Sequence, residues 1–149
     1  MYLMKILTGS DHGGCRLKSV INDFLLTLGY EIEDAGTNAD VPCDYPVIAS
    51  KVAKEVTGTD NLGILVCGTG IGMSIAANKI KGIRAALCND TFSARMSREH
   101  NNSNILCLGE RVAGYGLALD IVKIWLETKF SNEERHKRRL DLITNIERE

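Results

Sequence analysis

Apolar and polar positions along the chain switch repeatedly between two periods. Residues 3–8 form a short, mostly apolar run that Gly9 ends, and Leu17, Val20, Ile21, Phe24 and Leu28 follow at helical spacing until Gly29. That pattern predicts a strand, a turn and a helix. The same alternation predicts strands over 30–33, 62–66, 83–88 and 105–108. The helices between and after them are expected to open near Pro46, to cover 73–80 and 90–99, and to carry Ile121, Val122 and Trp125. Five strand–helix units require a parallel sheet. The strands lack clean alternation, as burial on both faces demands, so helices are expected on both sides. The predicted fold is α/β: a three-layer, doubly wound, Rossmann-like domain with a five-stranded parallel sheet in the order 2-1-3-4-5.

Ser131 and Glu134 have the spacing of a capping box, which predicts a final extended helix over about 131–148, with Leu140, Ile143 and Ile146 on one stripe. No strand follows it. The stripe suits a partner subunit as readily as the chain's own core, and docking on a partner is the expectation. Residues 1–149 read as one domain.

Composition narrows the function. With 149 residues, 44% hydrophobic and 25% charged, the chain is neither disordered nor fibrous. Its formal net charge of −1 provides no basic field for nucleic acid or a membrane surface. Residues 1–74 carry 5 basic and 9 acidic side chains, and residues 75–149 carry 13 and 10, so an anion site should draw on the second half. No apolar run approaches the ~18 residues of a bilayer span, and Met1 to Met4 lead into a strand rather than a signal peptide. A cytoplasmic location is expected. The five cysteines, Cys15, Cys43, Cys67, Cys88 and Cys107, contain no C-x-x-C pair to suggest zinc, and reduced thiols are expected.

In an open parallel sheet, ligands bind beyond the carboxyl ends of the strands where the strand order reverses, here between strands 1 and 3. The loops leaving those strands are Ser10-Asp11-His12-Gly13-Gly14 and Cys67-Gly68-Thr69-Gly70-Ile71-Gly72. Gly68, Gly70 and Gly72 let backbone N–H groups converge on an anion, in a setting that makes the Cys67 thiol reactive. The competing reading is that Cys67 merely ends a buried strand, as expected for Cys88 and Cys107. The glycine loop matches neither G-x-G-x-x-G, since residue 73 is Met, nor the Walker A pattern. Thr69 either orients a substrate oxygen or folds the turn. Asp11 and His12 either relay a proton and hold a phosphate or sugar oxygen, or form a turn and helix cap. Asp44 reads equally as a helix cap, and Tyr45 as a surface for substrate packing.

His100 follows the fourth helix, at the amino edge of the sheet and away from the crevice. As a catalytic group it would have to reach a neighbouring subunit's site; otherwise it is a surface helix-end histidine. Arg135 and Arg139 share one helix face and suit a phosphate, although such a run also reads as a solvated face. Arg111, just past strand 5, is a third anion contact.

Taken together, these segments resemble the family of type B ribose-5-phosphate isomerases and galactose-6-phosphate isomerase subunits, nearly end to end. The stretches that carry the resemblance include Ser10 to Gly14, Asp44-Tyr45-Pro46, Cys67 to Gly72, Ser74 to Lys79, Gly82 to Ala85, Ser97 to Asn101, and the spaced Arg135 and Arg139. The resemblance implies a metal-independent, cofactor-free aldose–ketose isomerase of the pentose phosphate pathway, working through a cis-enediolate. Cys67 would move the proton between C2 and C1. Thr69 and the loop amides would stabilise the enediolate, and Asp11 would shuttle hydroxyl protons. By the same resemblance, His100 of a partner subunit would open the furanose ring, while His12, Arg111, Arg135 and Arg139 would hold the phosphate. Tyr45 and Asn101 join the expected substrate contacts, and the enzyme is expected to be a homo-oligomer, a dimer or dimer of dimers, with shared sites. Some relatives place a glutamate base where this chain has Met73, which cannot accept a proton. Cys15, the Val41-Pro42-Cys43 stretch, and the charges of Lys137 and Arg138 also depart from the family pattern. The expected substrate pair is D-ribose 5-phosphate and D-ribulose 5-phosphate; the alternatives are a six-carbon sugar phosphate or a non-catalytic sugar-phosphate binding module.

Overall fold

The computed structural model describes residues 4–39 and 41–149, so the expected strand start at Leu3 lies outside the described residues. Strands β1 (Lys5–Ser10), β2 (Glu31–Asp34), β3 (Leu62–Cys67), β4 (Ala85–Leu87) and β5 (Ile105–Gly109) form one sheet, and every strand pairing is parallel. They alternate with α1 (Cys15–Thr27), α2 (Tyr45–Val56), α3 (Ile71–Ala77), α4 (Thr91–Glu99) and α5 (Tyr115–Glu127), and α6 (Glu134–Glu147) closes the chain.

Successive strand residues feed opposite layers. Ile6, Ile64, Val66, Leu106 and Leu108 pack with Leu17, Ile21 and Leu25 of α1 and with Ile121, Val122 and Trp125 of α5. Leu7, Leu65, Cys67, Ile105 and Cys107 pack with Val52 and Val56 of α2 and with Met73 and Ala77 of α3. Each such buried aliphatic side chain contributes about 1.5–3 kcal/mol. Two apolar layers around a central sheet produce the three-layer architecture.

Three expectations need correction. The strand order is β2-β1-β3-β5-β4 rather than 2-1-3-4-5, because β5 takes the place beside β3. That slot demands side chains for both layers. Ile105, Leu106, Cys107 and Leu108 supply them, whereas Ala85 to Leu87 are few, mostly small and half-buried, and suit an edge. Burial on both faces likewise fails at the other edge, where three of the four β2 residues are exposed. The capping box does not form either. Ser131 Oγ lies 2.6 Å from His136 Nδ1 and accepts the Glu133 N–H at 3.3 Å, so α6 starts at Glu134 with Glu133 at its N-cap. Ile143 and Ile146 on α6 are 42% and 66% exposed within the single chain. No helix among the described residues is long and apolar enough to cross a membrane.

Candidate active site

The reversal of strand order lies between β1 and β3, as expected, and the changed position of β4 does not disturb it. Ser10 is in register with Val66, and the Asp11 N–H extends the ladder to the Val66 carbonyl at 3.3 Å. The two chemically loaded loops therefore leave the sheet side by side. A Cβ on Gly14 would sit 2.5 Å from the Val66 carbonyl oxygen, so only glycine lets α1 begin this close to β3.

Asp11, 8% exposed, accepts the Gly13 N–H on Oδ1 at 2.9 Å. It thus folds its own loop, while Gly14, not Asp11, occupies the N-cap of α1. His12 Nδ1 accepts the Cys43 N–H at 3.2 Å, which ties this loop to the segment leading into α2.

Cys67 ends β3 and is 5% exposed. Its Sγ accepts the Gly70 N–H at 3.1 Å, and its carbonyl accepts the Glu110 N–H at 2.9 Å. The return toward the sulfur depends on Gly70, which adopts a left-handed φ of +79° and packs against Leu108. Thr69 is exposed in the crevice, and its Oγ1 accepts the Ile71 N–H at 3.3 Å, so it also folds the turn. In the core, burial pushes the Cys88 thiol up to about 11 and raises that of Cys107 further. Among the described residues none of the five cysteines is in a disulfide.

Asp11, Tyr45, Cys67, Gly68, Thr69 and Gly72 wall a cavity of about 430 Å³, with Ile71 and Ile75 as an apolar lip. The Tyr45 ring lies where a Gly72 Cβ would approach it to 2.6 Å, so the missing side chain makes room for the aromatic wall. Asp44 stands at the N-cap of α2 without a side-chain cap bond. Arg111 flanks the glycine loop: its N–H donates to the Gly68 carbonyl at 3.0 Å, and its guanidinium lies 3.6 Å from the position of a Gly68 Cβ.

The remaining expected residues gather elsewhere. His100 caps the carboxyl end of α4, at the amino edge of the sheet, with Nε2 3.9 Å from Glu99 Oε1. Its ring lies 4.4 Å from that of His136. His136 is 4% exposed; desolvation lowers its pKa, and His100, Arg135 and Arg139 push in the same direction. Arg135 is exposed and pairs with Glu133 at 2.8 Å. The Asn101 carbonyl accepts from Arg84 Nε at 3.0 Å. One chain therefore carries two separate groups of chemistry: a thiol crevice at the carboxyl ends of the strands, and a cationic cluster at the opposite end of the sheet.

Sequence reasoning missed three structural partners of these groups. Glu110 bonds the first turn of α1, Lys18 is buried beside the β2–α2 loop, and His136 stacks on His100. Nothing in local spacing marks them, because each acts across a long sequence separation or inside a charged run. Among the described residues, no three His, Cys, Asp or Glu side chains converge as a metal-binding set.

A Ribose/Galactose Isomerase family model matches residues 6–143. The solved ribose-5-phosphate isomerase B of Clostridium thermocellum is 54% identical and superposes with a TM-score of 0.94, covering 97% of this chain and 98% of that one. Ribose-5-phosphate isomerase B of Escherichia coli is 47% identical over 146 residues, 97% of each chain. The galactose-6-phosphate isomerase subunit LacB of Clostridium acetobutylicum is 39% identical, over 95% of this chain and 85% of its own. This chain belongs to the ribose/galactose isomerase family of sugar phosphate isomerases.

Proposed function

We propose that the protein interconverts D-ribose 5-phosphate and D-ribulose 5-phosphate through a cis-enediolate, with Cys67 as the base. The observation that carries this reading is the Cys67 sulfur at the crevice, in one wall with Asp11 and Thr69. In the aldose-to-ketose direction, Cys67 as thiolate takes the C2 proton of the open-chain sugar and returns it to C1. The hydroxyl proton on O2 passes to O1 through Asp11, so the product is an isomer and nothing is consumed. Thr69 and the loop amides meet the developing negative charge, where losing one such donor costs about 3–4 kcal/mol.

The cationic cluster cannot serve the crevice of its own chain, since the sheet lies between them. A two-fold dimer resolves this. The partner's His100 opens the furanose ring, and the partner's Arg135 and Arg139, with His12 and Arg111 of this chain, hold the phosphate. Tyr45 and the partner's Asn101 complete the substrate contacts. The apolar stripe of α6 is covered in the same assembly.

The deciding experiment measures the initial rate of ribulose 5-phosphate formation from ribose 5-phosphate with a chelator present throughout. Turnover that Cys67→Ala abolishes supports the reading. Turnover only of six-carbon phosphates would replace the substrate, and phosphate-ester binding without turnover would replace the activity. Mixing Cys67→Ala and His100→Ala chains should restore activity in hybrid dimers. Hybrids that form yet stay inactive would refute the shared site.

A further inference from the structure

Lys18 is the charge that the proposed chemistry leaves unused. It lies on α1, is 1% exposed, and spends all three of its donors: on Asp34 Oδ1 at 2.7 Å, the Thr37 carbonyl at 2.8 Å and Asn38 Oδ1 at 2.8 Å. An ammonium group buried this deeply survives only with such complete pairing. All three acceptors belong to one short stretch, residues 34–38.

That stretch is stitched to the end of β1. The Thr37 N–H donates to the Ser10 carbonyl at 2.7 Å, and the Ser10 N–H donates to the Gly36 carbonyl at 2.7 Å. Beyond it, Thr37 Oγ1 lies 3.2 Å from Cys43 Sγ, and the Cys43 N–H donates to His12 Nδ1 at 3.2 Å. A ring nitrogen that accepts an N–H carries no proton, so His12 holds its proton on Nε2. The path from ammonium to imidazole is continuous: Lys18, Thr37, Cys43, His12.

We propose that Lys18 is a positioning residue for His12: by holding the 34–38 turn it seats Cys43, whose amide keeps His12 as an Nε2–H donor for a phosphate or sugar oxygen. This rests on the reading above, in which His12 contacts the substrate. Lys18 touches no reacting atom, and its influence runs through the tautomer and orientation of the ring, as outer-shell partners of functional histidines act elsewhere.

The test uses the full chain with 15N-labelled histidine, of which there are three. In the native protein, the His12 nitrogens should report one tautomer, Nδ1 bare and Nε2 protonated. Lys18→Met should mix the tautomers and raise KM for ribose 5-phosphate about tenfold, while kcat changes less than about threefold. Lys18→Arg should restore much of both. Thr37→Val cuts the same path without unpairing a charge and should shift the same signals, which keeps the test open if Lys18→Met fails to fold. Unchanged His12 signals in a folded variant, or a fall in kcat with KM intact, would overturn the proposal. A merely structural lysine would lower the thermal midpoint and leave both readouts in place. If the native protein does not turn over ribose 5-phosphate, the kinetic arm fails for every variant, and the nitrogen signals still decide.

Discussion

Glu110 Oε1 accepts the Leu17 N–H at 2.6 Å, a bond that joins residues 93 positions apart. It supplies a side-chain acceptor to the first turn of α1, whose N-cap, Gly14, has none to offer. It also fixes the loop that carries Arg111 against the loop that carries His12. Glu110→Ala should therefore cost about 1 kcal/mol, a fall of about 2–4 °C in the thermal midpoint. Glu110→Gln, which keeps an acceptor oxygen, should lose less. Calorimetry on the three proteins checks this, and equal losses for both variants would contradict it.

Gly14 and Gly72 sit in the two site loops, yet they should respond differently to a methyl group. At Gly14 the added carbon meets the β3 backbone at 2.5 Å, and that backbone cannot yield. Gly14→Ala should cost about 1–3 kcal/mol or more. At Gly72 it meets the Tyr45 ring at 2.6 Å, an exposed side chain at a helix start that can swing away. Gly72→Ala should hold or raise stability, since alanine favours the helix by up to about 1 kcal/mol. The displaced ring should raise KM about tenfold, or about 1.4 kcal/mol of binding. Denaturant melts and steady-state kinetics on the pair separate the two outcomes.

Protonation of His136 should destabilise the fold. Desolvation and its cationic neighbours hold its pKa below the ordinary 6.5, so the unfolded chain binds this proton more readily than the native one. The stability that neutral His136 contributes is complete above 6.5 and drains away as pH falls through that value toward the lower native pKa. The thermal midpoint of the native protein should drop across this window. His136→Gln, which keeps a hydrogen-bonding group for Ser131, should show a shallower slope, and parallel slopes would refute the assignment.

Thiol alkylation should divide the cysteines by burial. Cys88, raised to about 11, and Cys107, raised further, should resist iodoacetamide at pH 8 in the native state and react fully in denaturant. Peptide mapping by mass spectrometry gives the answer. Native-state labelling of Cys107 would show that the sheet opens locally.

Local pattern made the alternation of strands and helices legible, because buried strands and one-sided helices write their periods directly into the sequence. The crevice was legible too: Cys67 and Asp11 lie at strand ends, and the reversal between β1 and β3 follows from topology. The order of β4 and β5 was not. Both are short apolar runs, and only the competition for a slot facing two layers separates Ile105 to Leu108 from Ala85 to Leu87. The capping box misled because Ser131 has a stronger partner in His136, five residues on and outside the motif. Lys18 and Glu110 stayed hidden for a related reason. Their partners lie 16 to 20 and 93 positions away, and a lone charge on a helix face carries no mark of where it is aimed.

The strand order also has a consequence for synthesis. Among the described residues β4 pairs only with β5, and β3 keeps an open edge until β5 fills it. A nascent chain that has not yet produced Ile105 thus holds one strand with no neighbour and another half paired. The native sheet cannot close while the ribosome is still making the first two-thirds of the polypeptide, and during that interval the exposed edge of β3 is where a chaperone would find its hold.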